Sequence, residues 1–299
     1  MQYRGQYIRV CNDNQMQEMN KFQPHIIPIY PPHNELIFEE WFALNYNGCN
    51  TDRVLLPFFP TSYWVNNNYA QDLIAKKETQ DYIDSLPNDI KYFVICQYDD
   101  GCLIDWKDKD VLEFNMSKKI GVELPLLCMP HPYKFSGEKK YFASFVGGRT
   151  HPLRNELEQF KNKEGWYISY DLHPIERYCE IISQSAFTIC PRGYGINSFR
   201  IAEALQYGSI PVYISDYFIE PFDHSFDEIG MTLHSNNIHL LPEKIRSKSS
   251  YAEIMAYQEL GKIAYEKYYT YEGCFNQIIK SIEAEYNSRK EETEITKTT

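Results

Sequence analysis

Short apolar runs alternate with amphipathic stretches along most of the chain. Tyr7 to Val10, Ile26 to Tyr30, Arg53 to Phe58 and Tyr92 to Gln97 are apolar and bounded by turn residues, as short buried strands are. Between them Glu35 to Ala43 and Gln71 to Leu86 carry helical spacing, and Pro31-Pro32 and Asn66 to Asn68 mark loops. The second half repeats the alternation more clearly. Strands are predicted at Tyr141 to Val146, Trp166 to Tyr170, Ala186 to Cys190 and Ile210 to Ser215. Helices are predicted after Thr150, which caps a turn with Pro152 inside it, and at Pro174 to Gln184 and Ser198 to Tyr207. From Ser250 to Arg289 two long helices are broken near Thr270 to Gly273, and the polar residues 291–299 read as a frayed tail. Strand and helix in turn argue for an α/β protein with parallel sheets. The Pro-, Gly- and Lys-bearing stretch 130–140 divides it into residues 1–135 and 136–290. The second part has the doubly wound pattern, in which ligands bind at the carboxyl ends of the strands.

Charge narrows the partners. The 299-residue chain has a formal net charge of −11, which argues against nonspecific nucleic-acid binding. Against that background Arg149, Arg154, Arg192 and Arg200 all lie close to glycine turns, a local positive pocket that suits a small anionic ligand. The eight cysteines show no zinc-ligand spacing, so a reducing compartment without a disulfide framework is expected. Met1 to Val10 is polar and charged, and no apolar run is long enough to span a bilayer, so a soluble chain is expected.

The stretch Phe187 to Ile214 carries the most chemistry. It reads as strand, glycine turn, helix, glycine stop and strand, and a turn of this kind favours phosphate oxygens. In its helix Ile201, Ala202 and Leu205 share the packing face. Arg200, Glu203 and Tyr207 fall opposite, which would let Arg200 reach a diphosphate and Glu203 accept from ribose hydroxyls. The plainer alternative is a surface Arg–Glu pair worth a few tenths of a kcal/mol. The neighbouring Arg192, Gly193 and the Asn197/Ser198 cap favour the ligand reading. A second turn, Phe145-Val-Gly-Gly-Arg-Thr-His-Pro-Leu-Arg154, repeats the theme. Gly147 and Gly148 admit a ligand close to the backbone, and Arg149 and Arg154 can offer guanidinium forks to phosphate. Neither turn is a P-loop, and Gly193-Tyr-Gly195 is only a partial dinucleotide fingerprint.

These pieces, in order, carry a family resemblance. Phe145-Val-Gly-Gly-Arg with Arg154, then Tyr178, Ser185 and Phe187, then Cys190-Pro-Arg-Gly, Ser198-Phe-Arg-Ile-Ala-Glu-Ala-Leu, Gly208-Ser-Ile-Pro-Val, Asp216 and Pro221-Phe222 resemble the exostosin-like glycosyltransferases of family 47. Tyr92 to Gly101 looks like the bacterial and viral members. The resemblance implies a GT-B architecture of two Rossmann-like domains with parallel sheets facing a cleft. The C-terminal domain would bind a nucleotide sugar, usually a UDP-sugar, and the N-terminal one a glycan or glycoconjugate acceptor. It further implies inversion at the anomeric carbon, no metal and no other cofactor. Without the membrane anchor of animal members, a cytoplasmic enzyme of a bacterium or virus-infected cell is the expectation.

Metal-free departure of a diphosphate leaves Arg149, Arg154, Arg192 and Arg200 to take the developing charge. Deprotonating the acceptor requires a base. Asp99 and Asp100, just past a predicted strand end, are the candidates, although Asp-Asp-Gly is also an ordinary solvated turn. His131 and Glu39 are weaker ones. Asp108-Lys-Asp110 has the DxD form of metal-dependent transferases but sits in a charged turn and is assigned no metal. Two other readings stay open: a noncatalytic subunit that binds a nucleotide sugar in support of a partner, and another nucleotide-using α/β enzyme such as a kinase.

Overall fold

A computed structural model describes residues 37–56, 58–135 and 138–298, the side chains of 295–298 excepted. The predicted strands Tyr7 to Val10 and Ile26 to Tyr30 and the Pro31-Pro32 loop lie outside the described residues.

The first unit is a four-stranded parallel sheet in the order β1 (Arg53–Leu55), β2 (Lys91–Cys96), β3 (Val111–Asn115), β4 (Val122–Glu123). Helices α1 (Phe38–Asn45), α2 (Pro60–Asn66) and α3 (Leu73–Ser85) accompany it. Asp72 caps α3 by accepting from the amides of Ile74 and Ala75. The second unit is a five-stranded, all-parallel sheet. It holds β5 (Tyr141–Val146), β6 (Trp166–Ser169), β7 (Ser185–Pro191), β8 (Ile210–Ser215) and β9 (Met231–His234) in the order β6-β5-β7-β8-β9. Helices α4 (Pro152–Glu156), α5 (Ile175–Ser183) and α6 (Arg200–Gln206) connect the strands, and α7 (Leu241–Arg246), α8 (Tyr251–Ala264) and α9 (Tyr271–Thr298) follow them. The α/β expectation of two parallel sheets is therefore met. β2, β7 and β8 are buried on both faces, which is why they read as continuous apolar runs rather than alternating ones.

One hydrophobic cluster joins the units. It combines Phe93, Ile95, Phe114 and Met116 of the first with Ile201, Leu205 and Tyr213 of the second, and with Tyr269, Cys274 and Ile278 near the C-terminus. The helix break expected near Thr270 is present, preceded by a wide turn at Tyr265–Tyr269. Beyond it α9 runs back over the first unit. Tyr271 packs edge-on against Phe38, and Phe275 against Trp41. Glu285 receives the buried guanidinium of Arg53, and Arg289 pairs with Asp52. Helix α9 continues through residues 291–298, where a frayed tail was expected; Arg289 fixes the preceding turn and the Thr293 hydroxyl donates back to its carbonyl.

The topology places the site. β6 lies on one side of β5, and the chain then crosses to lay β7 on the other, so the strand order reverses between β5 and β7. In open parallel sheets the ligand crevice lies outside the carboxyl ends at such a switch point. The loops leaving those two ends are Gly147–His151 and Arg192–Phe199, the two arginine-bearing turns.

Candidate functional site

The turn after β5 and helix α6 meet directly. The guanidinium of Arg200 donates from Nε and Nη2 to the carbonyl of Val146 at 3.0 and 2.8 Å and lies 5.1 Å from the Phe145 ring. A Cβ placed on Gly147 would collide with Arg200 Nη2, so this glycine is there for close approach. Gly147→Ala is expected to expel the Arg200 guanidinium and lower activity at least tenfold, with a folded protein remaining by circular dichroism. Gly148 contributes its carbonyl, which accepts from Arg154 Nη1 at 3.2 Å.

Arg154 is 6 % exposed. Its Nε donates to the carbonyl of Arg192 at 2.9 Å and one Nη2 hydrogen to that of Pro191 at 3.3 Å, so three of its five N–H groups are engaged by backbone carbonyls. It thus ties the end of β7 to the turn after β5. Burial first, then the field of Arg200, pulls its pKa down to about 9, leaving it charged at neutral pH. Among the described residues neither Arg154 nor Arg200 pairs with a carboxylate, and buried charges are ordinarily paired. The other two arginines differ. Arg149 is salt-bridged to Glu158 at 2.5 Å, bonded to Asn155 and stacked 3.6 Å from the Tyr170 ring centroid. Arg192 pairs with Asp216 and donates to the Tyr194 carbonyl. Of the four arginines proposed from the sequence, only Arg154 and Arg200 make no direct ion pair among the described residues.

Two caps differ from expectation. The cap of α4 is His151, whose Nδ1 accepts from the Leu153 amide at 3.2 Å, not Thr150. Helix α6 starts at Phe199 without a side-chain cap. Asn197 instead accepts from the Ser198 amide and donates to the Met116 carbonyl at 2.8 Å, bridging the two units, and the buried Ser198 hydroxyl has no partner among the described residues.

Glu203 shares a helix face with Arg200 and Tyr207 as expected, but that face is covered. Residues 128–135, arriving from β4, lie over it, and Glu203 is 4 % exposed. One carboxylate oxygen bonds His131 Nε2 at 3.0 Å and the other accepts from the Tyr178 hydroxyl. Gln206 exchanges two further bonds with the His131 backbone. Burial opposes charge on His131, yet Cys179 and Glu203 raise its pKa to about 9. Burial likewise raises that of Glu203, but His131, Arg200 and Tyr178 outweigh it and the net shift is downward. The result is a buried ion pair that fastens the inter-unit connection to the helix bearing Arg200. His131→Ala removes the ion-pair partner of a buried carboxylate, leaving it the Tyr178 hydroxyl and the more distant Arg200, and is expected to cost about 3 kcal/mol in urea denaturation at neutral pH. The stabilisation from His131 is complete below its ordinary pKa near 6.5 and is lost as pH rises through about 9. That from Glu203 is present above 4.5 and is lost on acidification.

The first unit reaches the turn after β7 through Asp99. Asp99 follows β2 and its carboxylate lies against Gly195, where any Cβ would strike it. Burial, then the adjacent Asp100, raises its pKa to about 6, against lowering by the Gly195 amide and Arg192. Asp100 is separated from it: exposed and 3.9 Å from Lys118. Glu39, a weaker candidate, is buried, accepts from Thr61 and Gln97, and is held up at about 8 by burial. Asp110 of the DxD tripeptide is ion-paired to Arg53 at 2.8 Å. The seven cysteines in the described residues are free thiols.

Comparison with known proteins agrees with the motifs. Residues 104–248 match the Exostosin GT47 domain, a span that includes β3 and β4 as well as most of the second unit. An exostosin-1 homolog from Caenorhabditis elegans is 25% identical over 249 residues, covering 64% of this chain and 65% of that protein. A probable glycosyltransferase from Arabidopsis thaliana is 33% identical over 118 residues, 39% of this chain and 22% of that protein. A probable glucuronosyltransferase from Oryza sativa subsp. japonica is 39% identical over 83 residues, 27% of this chain and 20% of that protein. The chain thus spans between a fifth and just under two thirds of the length of these relatives. The crystal structure of TarM aligns with a TM-score of 0.37 at 11% identity, over 68% of this chain and 45% of that one, a likeness too slight to argue from. By its motifs, its matched domain and these relatives, the stretch 104–248 is similar to the Exostosin GT47 domain.

Proposed function

We propose that the chain is a glycosyltransferase that moves a sugar from a nucleoside-diphosphate donor, a UDP-sugar by family resemblance, to a hydroxyl of a glycan acceptor, with inversion. The observation that carries this reading is the pair of guanidiniums, Arg154 and Arg200, held at the switch point without a carboxylate. Two fixed positive charges at the mouth of a parallel sheet suit a diphosphate, and they suit it better as negative charge builds on the departing oxygen.

Asp99 completes the reaction. It reaches the turn after β7 from the other unit, against Gly195. The acceptor hydroxyl gives its proton to Asp99 while its oxygen bonds to the anomeric carbon. The bond from that carbon to the diphosphate breaks, and its electron pair leaves with the phosphate oxygen. A carboxylate with a pKa of about 6 is ionised at neutral pH and basic enough to serve. The similarity to an exostosin-1 homolog and to a probable glucuronosyltransferase supports the class of reaction. Among the described residues no helix is long and apolar enough to cross a membrane.

Incubation with UDP-sugars and an oligosaccharide mixture tests the activity. Acceptor-dependent release of UDP, with product of inverted anomeric configuration by NMR, is expected. Retained configuration would rule out the proposed role of Asp99.

A further inference from the structure

The hydroxyl of Thr150 has no structural task. It is buried, makes no hydrogen bond among the described residues, and does not cap the helix it precedes. Buried hydroxyls are nearly always bonded, and leaving one unsatisfied is costly, so an orphan in a site needs a reason.

Its position supplies one. A Cβ built on Gly193 would come within 3.6 Å of Thr150 Oγ1 and 3.2 Å of Arg154 Nη2. Hydroxyl and guanidinium therefore converge over the bare Cα of Gly193, in the turn after β7. Burial, then Arg192 and Arg154, lower the pKa of the next residue, His151, against Asp216, so the segment lies among the charged groups of the site. A donor hydroxyl and an unpaired guanidinium above a glycine form a cradle for a tetrahedral oxyanion.

We propose that Thr150 is a donor-binding residue. Its hydroxyl, with Arg154 over Gly193, holds the phosphate of the nucleotide that departs from the sugar. The inference rests on the nucleotide-sugar reading for the ligand's identity, but the subsite itself is defined by the anion. Thr150→Val keeps the shape and removes the donor; Thr150→Ser keeps the donor.

Calorimetric titration of wild type and both variants with UDP, inorganic pyrophosphate and uridine separates the cases. A hydrogen bond to a charged group predicts that Thr150→Val weakens UDP and pyrophosphate by roughly tenfold or more. Uridine binding and the melting temperature should not change, and Thr150→Ser should restore affinity. UDP and pyrophosphate binding within twofold of wild type in Thr150→Val would overturn the subsite while leaving the nucleotide reading intact. Thr150-dependent binding of pyrophosphate without binding of UDP would keep the subsite and remove that reading. Wild-type protein that binds neither would overturn both.

Discussion

Replacing Arg200 with alanine is expected to lower transfer by a factor of about 100–1000, the range for removing a preorganised donor from a developing oxyanion. The loss should fall on kcat more than on KM, because the guanidinium gains most as charge accumulates on the leaving oxygen. Lysine should not rescue it. Arg200 holds its place through two bonds from Nε and Nη2 that converge on the Val146 carbonyl oxygen, an arrangement an ammonium cannot reproduce. Folding should persist, since the face of α6 that packs into the core carries Ile201, Ala202 and Leu205, all buried. Steady-state kinetics beside a thermal melt checks each part. An Arg200→Ala protein with wild-type kcat would mean that the diphosphate leaves elsewhere.

Replacing Asp99 with asparagine is expected to abolish acceptor-dependent transfer to about 1% of wild type or less, the upper part of what a general base contributes. Donor binding should survive, since the arginines are untouched. With the carboxyl raised to about 6, kcat/KM in the wild type should climb with pH through that value and level off above it. The acid limb should be missing in Asp99→Asn. Asp100→Asn should keep transfer, because that side chain is exposed and directed to Lys118, and should move the acid limb to lower pH, because the Asp100 charge helps hold Asp99 up. A full acid limb in Asp99→Asn would transfer the role of base to another group.

Much of this was legible in the chain. Strands that are continuous apolar runs between turn residues, Tyr141 to Val146 and Ile210 to Ser215, fall where the pattern put them, because burial on both faces leaves no other reading. The third strand, Val111–Asn115, was not foreseen. Its run is broken by Glu113, which is buried and accepts from the Trp106 indole at 2.5 Å, a partner no periodicity reveals. Strands β4 and β9 are short, lie at sheet edges and contain polar residues, so their pattern is weak.

The site divides along the same line. The glycine turns and their arginines are local features, and sequence spacing places them at adjacent strand ends. Which arginines keep free charge is decided at longer range. Glu158 and Tyr170 take Arg149, Asp216 takes Arg192, and Arg154 and Arg200 remain without an ion pair among the described residues. Glu203 shows the limit most plainly. Its helix face was legible, but its cover comes from His131, 72 positions earlier, on a connection whose path depends on both sheets. Thr150 was legible only as a cap; the displacement of that role to His151 is what leaves its hydroxyl unbonded.

The central claim is that Arg154 and Arg200 hold their charge for a nucleoside diphosphate. Calorimetric titration of the wild-type protein with UDP, GDP and ADP, set beside Arg200→Ala, addresses it most directly. The account predicts saturable one-site binding of at least one nucleoside diphosphate, UDP foremost, lost or weakened by roughly a hundredfold in Arg200→Ala. A folded wild-type protein that binds none of them would contradict it.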